Sequence, residues 1–139
     1  MRTVYKFILV LAFISCTNDD AITDANLSGK VLGESFTALG GNAFTVDNNL
    51  SIQISNIVAN CDSEIAQHDY FLSFEVPKGT GPFIDIELTF AGNDKSVIEY
   101  TNATIIITAI KSASITGKIV ADYNDDNNVE GTFEVPFCD

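Results

Sequence analysis

Tryptophan is absent from this 139-residue chain, methionine occurs only as Met1, arginine only as Arg2 and histidine only as His68. Each scarcity excludes a chemistry. Without tryptophan, a glycosidase cleft would lack its usual sugar-stacking platform. Without guanidinium groups in the body of the chain, bidentate recognition of phosphate has no donor fork. A single histidine beside three cysteines, with no CxxC pair, matches no zinc pattern. No apolar run approaches the roughly twenty residues that a membrane-crossing helix needs.

What is present begins at the N-terminus. Arg2 and Lys6 form a short basic region, and residues 7–14 follow as a continuous apolar run. That order reads as a secretory signal over residues 1–15. The run ends in Phe13-Ile14-Ser15-Cys16. This resembles the bacterial lipobox, with Phe13 where leucine is usual, in which a small residue precedes the cysteine that becomes the lipidated N-terminus. Thr17-Asn18-Asp19-Asp20 resembles the polar and acidic tetrad that directs surface export in Bacteroidetes-type lipoproteins. Near the C-terminus, Gly131-Thr132-Phe133-Glu134-Val135-Pro136-Phe137-Cys138 is similar to a Gly-x-Phe-x-x-Pro-x-Cys ending in small lipoproteins of that type. The resemblance implies a lipid anchor at Cys16 in the outer membrane, a body exposed at the cell surface, and no catalytic residue. Residues 16–26 then read as an acidic tether and 27–139 as one domain, long enough for a single core.

With residues 1–15 removed, five lysines face 19 carboxylates, a formal net charge of −14. Such a surface repels phosphate backbones, so nucleic acid is excluded as a partner. With Cys16 assigned to lipid, Cys61 and Cys138 remain as an even pair in an exported chain, and one disulfide between them is expected.

The apolar pattern of the body has period two. Leu50, Ile52 and Ile54 alternate with polar residues, as do Leu72, Phe74 and Val76, and then Ile84, Ile86, Leu88 and Phe90. Ile115, Gly117, Ile119, Ala121 and Tyr123 form one face of a later segment, and Val129, Gly131, Phe133, Val135 and Phe137 one face of the last. Each reads as a strand with one dry side. Residues 103–110 are apolar on both faces, as a strand covered on both sides would be. Gly33-Glu34 and Asn48-Asn49 suit two-residue hairpin turns, Gly92-Asn93-Asp94 a further link, and Pro77 to Pro82 a longer loop. The class is all-β. An antiparallel β-sandwich is the first arrangement and a partly open β-barrel the second.

Candidate chemistry is sparse. His68-Asp69 sets a base beside a carboxylate, but neighbours on an extended chain point opposite ways, and no GxSxG elbow accompanies them. Asp85 and Glu87 share a strand face, as the wet side of a half-buried strand would. Asp122, Asn124, Asp126 and Asn128 alternate along an acidic tip and carry the oxygens that calcium takes, yet glycine does not follow Asp126, and Phe133 stands where an EF-hand has its bidentate glutamate. A self-capped Asx turn explains that tip more simply. No cofactor is expected. The reading is a non-enzymatic, lipid-anchored binding module for a protein or glycan partner, with a carboxylate-dependent hydrolase or a calcium-dependent binder as the alternatives.

Overall fold

A computed structural model describes residues 22–65, 70–92 and 97–139. The signal segment, Cys16, the tetrad Thr17, Asn18, Asp19 and Asp20, the His68-Asp69 pair and the Asn93-Asp94 link lie outside the described residues.

Nine strands follow in chain order: β1 (Ser28–Val31), β2 (Glu34–Thr37), β3 (Gly40–Val46), β4 (Asn49–Ser55), β5 (Tyr70–Pro77), β6 (Gly81–Gly92), β7 (Ile98–Ile110), β8 (Ser114–Asn124) and β9 (Asn127–Pro136). All neighbouring strands pair antiparallel, in the order β2-β1-β9-β8-β7-β6-β5-β4-β3. The all-β antiparallel class holds. Its form is one strongly curled sheet, a half-barrel, and so the partly open barrel describes it more closely than two separate sheets.

The curl buries the alternating face. Leu50, Ile52 and Ile54 of β4, Leu72 and Val76 of β5, Leu88 and Phe90 of β6, and Ile115 and Ile119 of β8 are fully enclosed. The Phe74 and Phe133 rings meet edge to face at 6.0 Å across the interior. Gly117 makes this contact possible, because a Cβ there would stand 2.7 Å from the Phe133 ring and 2.6 Å from the Ile106 carbonyl oxygen. A second small cluster, Ala59, Ile65, Phe71 and Ala91, sits on the outer face of β5 and β6 under the β4–β5 connection. Buried Asn42 pins that connection by donating to the carbonyls of Asn60 and Ser63.

The curl also brings the end strand β3 to the far end of β9. Ala43 bridges Phe137, and the Cys138 N–H donates to the Ala43 carbonyl at 2.9 Å. The expected disulfide is present: Cys61 and Cys138 are bonded, with Cα atoms 5.5 Å apart, and tie the crossover to this seam.

Several expectations are corrected. The two tight turns are Leu32-Gly33 and Asp47-Asn48, each one residue earlier than expected, with positive φ at all four residues. Tertiary hydrogen bonds select them. The Leu32 N–H donates to Asn127 Oδ1, the Gly33 N–H to the Asp126 carbonyl, and the Lys78 N–H to the Asn48 carbonyl. Ile84 does not point inward with Ile86 but is 70% exposed, because a bulge between Phe83 and Ile86 inserts a residue with Asp85 at φ 58°. Tyr123 likewise leaves the inward row at a register shift between Asp122 and Asn124. Strand β7 is interior to the sheet, but only one of its faces is covered: Ile105 and Ile107 are buried while Ile106 stays half-exposed. Residues 22–26, which precede β1, also pack on the body. Ile22 is buried, Thr132 donates to the Ala25 carbonyl, and Lys118 pairs with Asp24, whose carboxyl is held below its ordinary value by the lysine's hydrogen bond and charge.

Candidate binding cleft

Strands β5 and β6 pair only at one end, from Tyr70–Gly92 to Ser73–Thr89. Beyond that point β5 stays with β4 through Pro77, and β6 stays with β7 back to Gly81. Had the ladder run on, Glu75 would stand opposite Glu87, and Pro77 opposite Asp85. Like charges directly opposed destabilise a pair, and proline has no N–H to give. The bulge at Asp85 completes the divergence by turning β6 away.

The result is an open cleft of about 380 Å³ between the two strands. Hydroxyls of Ser51, Ser73 and Thr89 line it, Glu75 stands on one lip, Asp85 and Glu87 on the other, and Phe74 and Ile86 contribute its apolar surface. All three carboxylates are exposed.

The backbone on the lips follows from one hydrogen bond. The Lys78 N–H donates to the Asn48 carbonyl at 3.1 Å, on the β4 side. Peptide groups alternate along a strand, so the N–H and C=O of Ser73 and Glu75 face β6. Ser73 meets Thr89 there. Glu75 and, on the other lip, Glu87 turn their peptide groups into the split, where the pairing register gives them no partner.

The acidic tip is built differently. Asn124 Oδ1 accepts from the N–H groups of Asp126 at 3.0 Å and Asn127 at 2.9 Å, and the Asn128 amide donates to the carbonyls of Asn124 and Asp125. Asp122, Asn124, Asp125 and Asn128 line a second cleft of about 580 Å³ together with Thr23, Ser28 and Glu130. Asp126 is not among its lining residues; its carboxylate faces Gly33 in the neighbouring turn. The four alternating residues therefore do not converge. Among the described residues, no group of three His, Cys, Asp or Glu side chains is placed to hold a metal ion.

Asp85 and Glu87 lie on the wet face as their alternation implies, and the structure adds Glu75 from a second strand. Sequence reasoning missed Glu75 because its opposition to Glu87 exists only in the β5–β6 register. Asn127 was missed too. It occupies the inward row with Val129 and Gly131, and a polar residue in that row signals a buried hydrogen bond, here the one to Leu32. No family model, curated protein or solved structure matches the chain.

Proposed function

We propose that this chain is a lipid-anchored lipoprotein of the bacterial cell envelope, displayed on the outer face of the outer membrane, whose curled sheet binds a partner at the β5–β6 cleft without catalysing a reaction. The observation that carries the binding reading is the split itself: two strands leave their ladder and turn backbone donors and acceptors into a cleft walled by hydroxyls and carboxylates. The lipobox-like Phe13 to Cys16 supports the anchor. Ile22, the first described residue, is six positions from Cys16, and so at most about 20 Å of chain joins the packed body to its lipid.

A second reading uses the same cleft. Glu75 and the Asp85/Glu87 pair come from different strands, the minimum a carboxylate-dependent hydrolase requires. An acid catalyst, however, needs a carboxyl kept protonated by a dry setting, and these three are solvent-exposed.

Two experiments test the proposal. Cys16→Ser is expected to move the protein from the membrane to the soluble fraction and to abolish acylation; unchanged fractionation refutes the anchor. A photo-crosslinking amino acid at Thr89, in the cleft, is expected to give discrete adducts on intact cells, whereas one at Thr108, exposed on β7, gives none. Equal labelling from both positions refutes the cleft. Hydrolysis of a glycan or ester that is lost in Glu87→Gln would establish the second reading instead.

A further inference from the structure

Resting on the reading of Cys16 as a lipid anchor, we infer that the outer face of β7 is a membrane-contact surface, which lies on the bilayer that holds the anchor and so fixes how the body stands on the cell. Three observations carry this. First, the face is uncharged in a protein whose mature form has a formal net charge of −14. The inward row of β7 is Ala103, Ile105 and Ile107, so Ile98, Tyr100, Asn102, Thr104, Ile106 and Thr108 face outward, and none of them is ionised at neutral pH. Second, the face carries exposed apolar bulk. Ile98 and Tyr100 are exposed, and on the neighbouring strand Pro82 stands opposite Ile106 while the bulge turns Ile84 outward. Tyrosine, with an apolar ring and a polar tip, suits the level of lipid headgroups. Third, the chain that leads to the lipid leaves on this side. Thr23 lines a cleft with Val120, and Asp24 pairs with Lys118. Both partners belong to the outer row of β8, where Val120 stands opposite Thr104 and Lys118 opposite Ile106.

The incoming chain thus lies one strand from β7, and from Ile22 back to Cys16 it spans at most about 20 Å. A tether that short makes the contact effectively intramolecular, so a modest apolar area is enough to set the orientation. Acidic groups bound the face on both sides. Glu87 stands opposite Asn102 on β6, and Asp122 follows Val120 on β8. Anionic headgroups repel those margins and leave the uncharged strip as the side that can settle. The sheet curls away from the contact on either side, and so the β5–β6 cleft stays open at its flank.

The chain has no tryptophan, so a single one introduced reports its own surroundings. The mature protein, beginning at Cys16, is joined through that thiol, the only one left free by the Cys61–Cys138 bond, to a maleimide lipid in phosphatidylcholine vesicles with brominated acyl chains. Bromine quenches a fluorophore that reaches those chains. Tyr100→Trp and Ile84→Trp are expected to lose emission and to shift to the blue. Thr37→Trp, exposed on the end strand β2, is expected to keep the emission it has in vesicles without bromine. Adding Ile84→Asp and Ile98→Asp to Tyr100→Trp, both at exposed positions and checked for an unchanged fold by circular dichroism, is expected to restore the lost emission, because a carboxylate resists entry into lipid. The inference is overturned if Thr37→Trp is quenched as strongly as Tyr100→Trp or if neither is quenched. It is also overturned if the blue shift at position 100 appears without vesicles and grows with protein concentration, which would assign the face to a second copy. The maleimide lipid stands in for natural acylation, so the two readings fail separately. Absence of quenching, with Cys16→Ser still releasing the protein from cell membranes, removes the face and leaves the anchor. Unchanged fractionation of Cys16→Ser removes the anchor, and the inference with it.

Discussion

The backbone N–H of Leu32, in the β1–β2 turn, donates to the Oδ1 of Asn127, at the start of β9, across 2.8 Å. Asn127 is almost fully buried, and Leu32 holds φ at 50°, a region that a leucine adopts only when its surroundings require it. One side chain thus couples the tips of two hairpins. Asn127→Ala leaves the Leu32 N–H without its acceptor and is expected to lower stability by about 1–3 kcal/mol, read from denaturant titration. An unchanged midpoint would show that the turn does not depend on this contact.

The Cys61–Cys138 bridge closes a loop of 77 residues. Replacing both cysteines by alanine is expected to cost up to roughly 4–5 kcal/mol in the chain-entropy account. Hydrogen exchange at the amides of position 138 and Thr45 should rise first, because the seam they belong to loses its covalent clamp. Stability and exchange equal to the parent protein would contradict this.

Asp139 is held below its ordinary value near 3.8 by hydrogen bonds from the side chain and backbone of Thr45, with Lys78 adding its charge. A carboxyl depressed in the folded state contributes stability that is fully present above its unfolded value and is lost as pH falls through its folded value. Acidification below about pH 4 is therefore expected to loosen the C-terminus from β3. The Thr45 amide resonance should report this, and Asp139→Asn should remove the dependence. A Thr45 amide that titrates identically in Asp139→Asn would assign the effect elsewhere.

At the acidic tip, Asn124 Oδ1 already accepts two backbone N–H groups and Asp126 faces away from Asp122 and Asn128. Millimolar calcium is expected to change the melting temperature no more than magnesium does, through general screening of an anionic protein. A calcium-selective rise of several degrees, absent in Asp126→Ala, would reinstate a cation site there.

Strand faces were legible where both the period and the pairing stayed regular. Leu50, Ile52 and Ile54, and the inward row from Val129 to Val135, lie where alternation puts them. Residues 84–90 alternate just as regularly, yet Ile84 is outside. The bulge that moves it answers to the pairing with β7 and to the failed pairing with β5, neither of which is a local property. Turn positions failed for the same reason. Glycine and asparagine marked the turns to within one residue, and hydrogen bonds given to distant Asn127 and received from distant Lys78 chose the final register. The pairing of Cys61 with Cys138 was reachable by counting thiols. The cleft was not, because Glu75 and Glu87 become neighbours only through the hairpin that fails to close.

The bridge between the crossover and the C-terminus also decides how this protein would carry mechanical load. A chain held by its N-terminus receives tension first at Ile22 to Leu27, which are bound along β9, and then along β1 to β4. When the load is taken up beyond Cys138, extension stops at Cys61, since the bond carries the tension straight to Cys138 past everything between them. Strands β5 to β9, with the split between β5 and β6, sit within the covalent ring that the bond closes. Pulling between the N-terminus and Asp139 can peel four strands away and still leave the cleft's two lips together inside that ring.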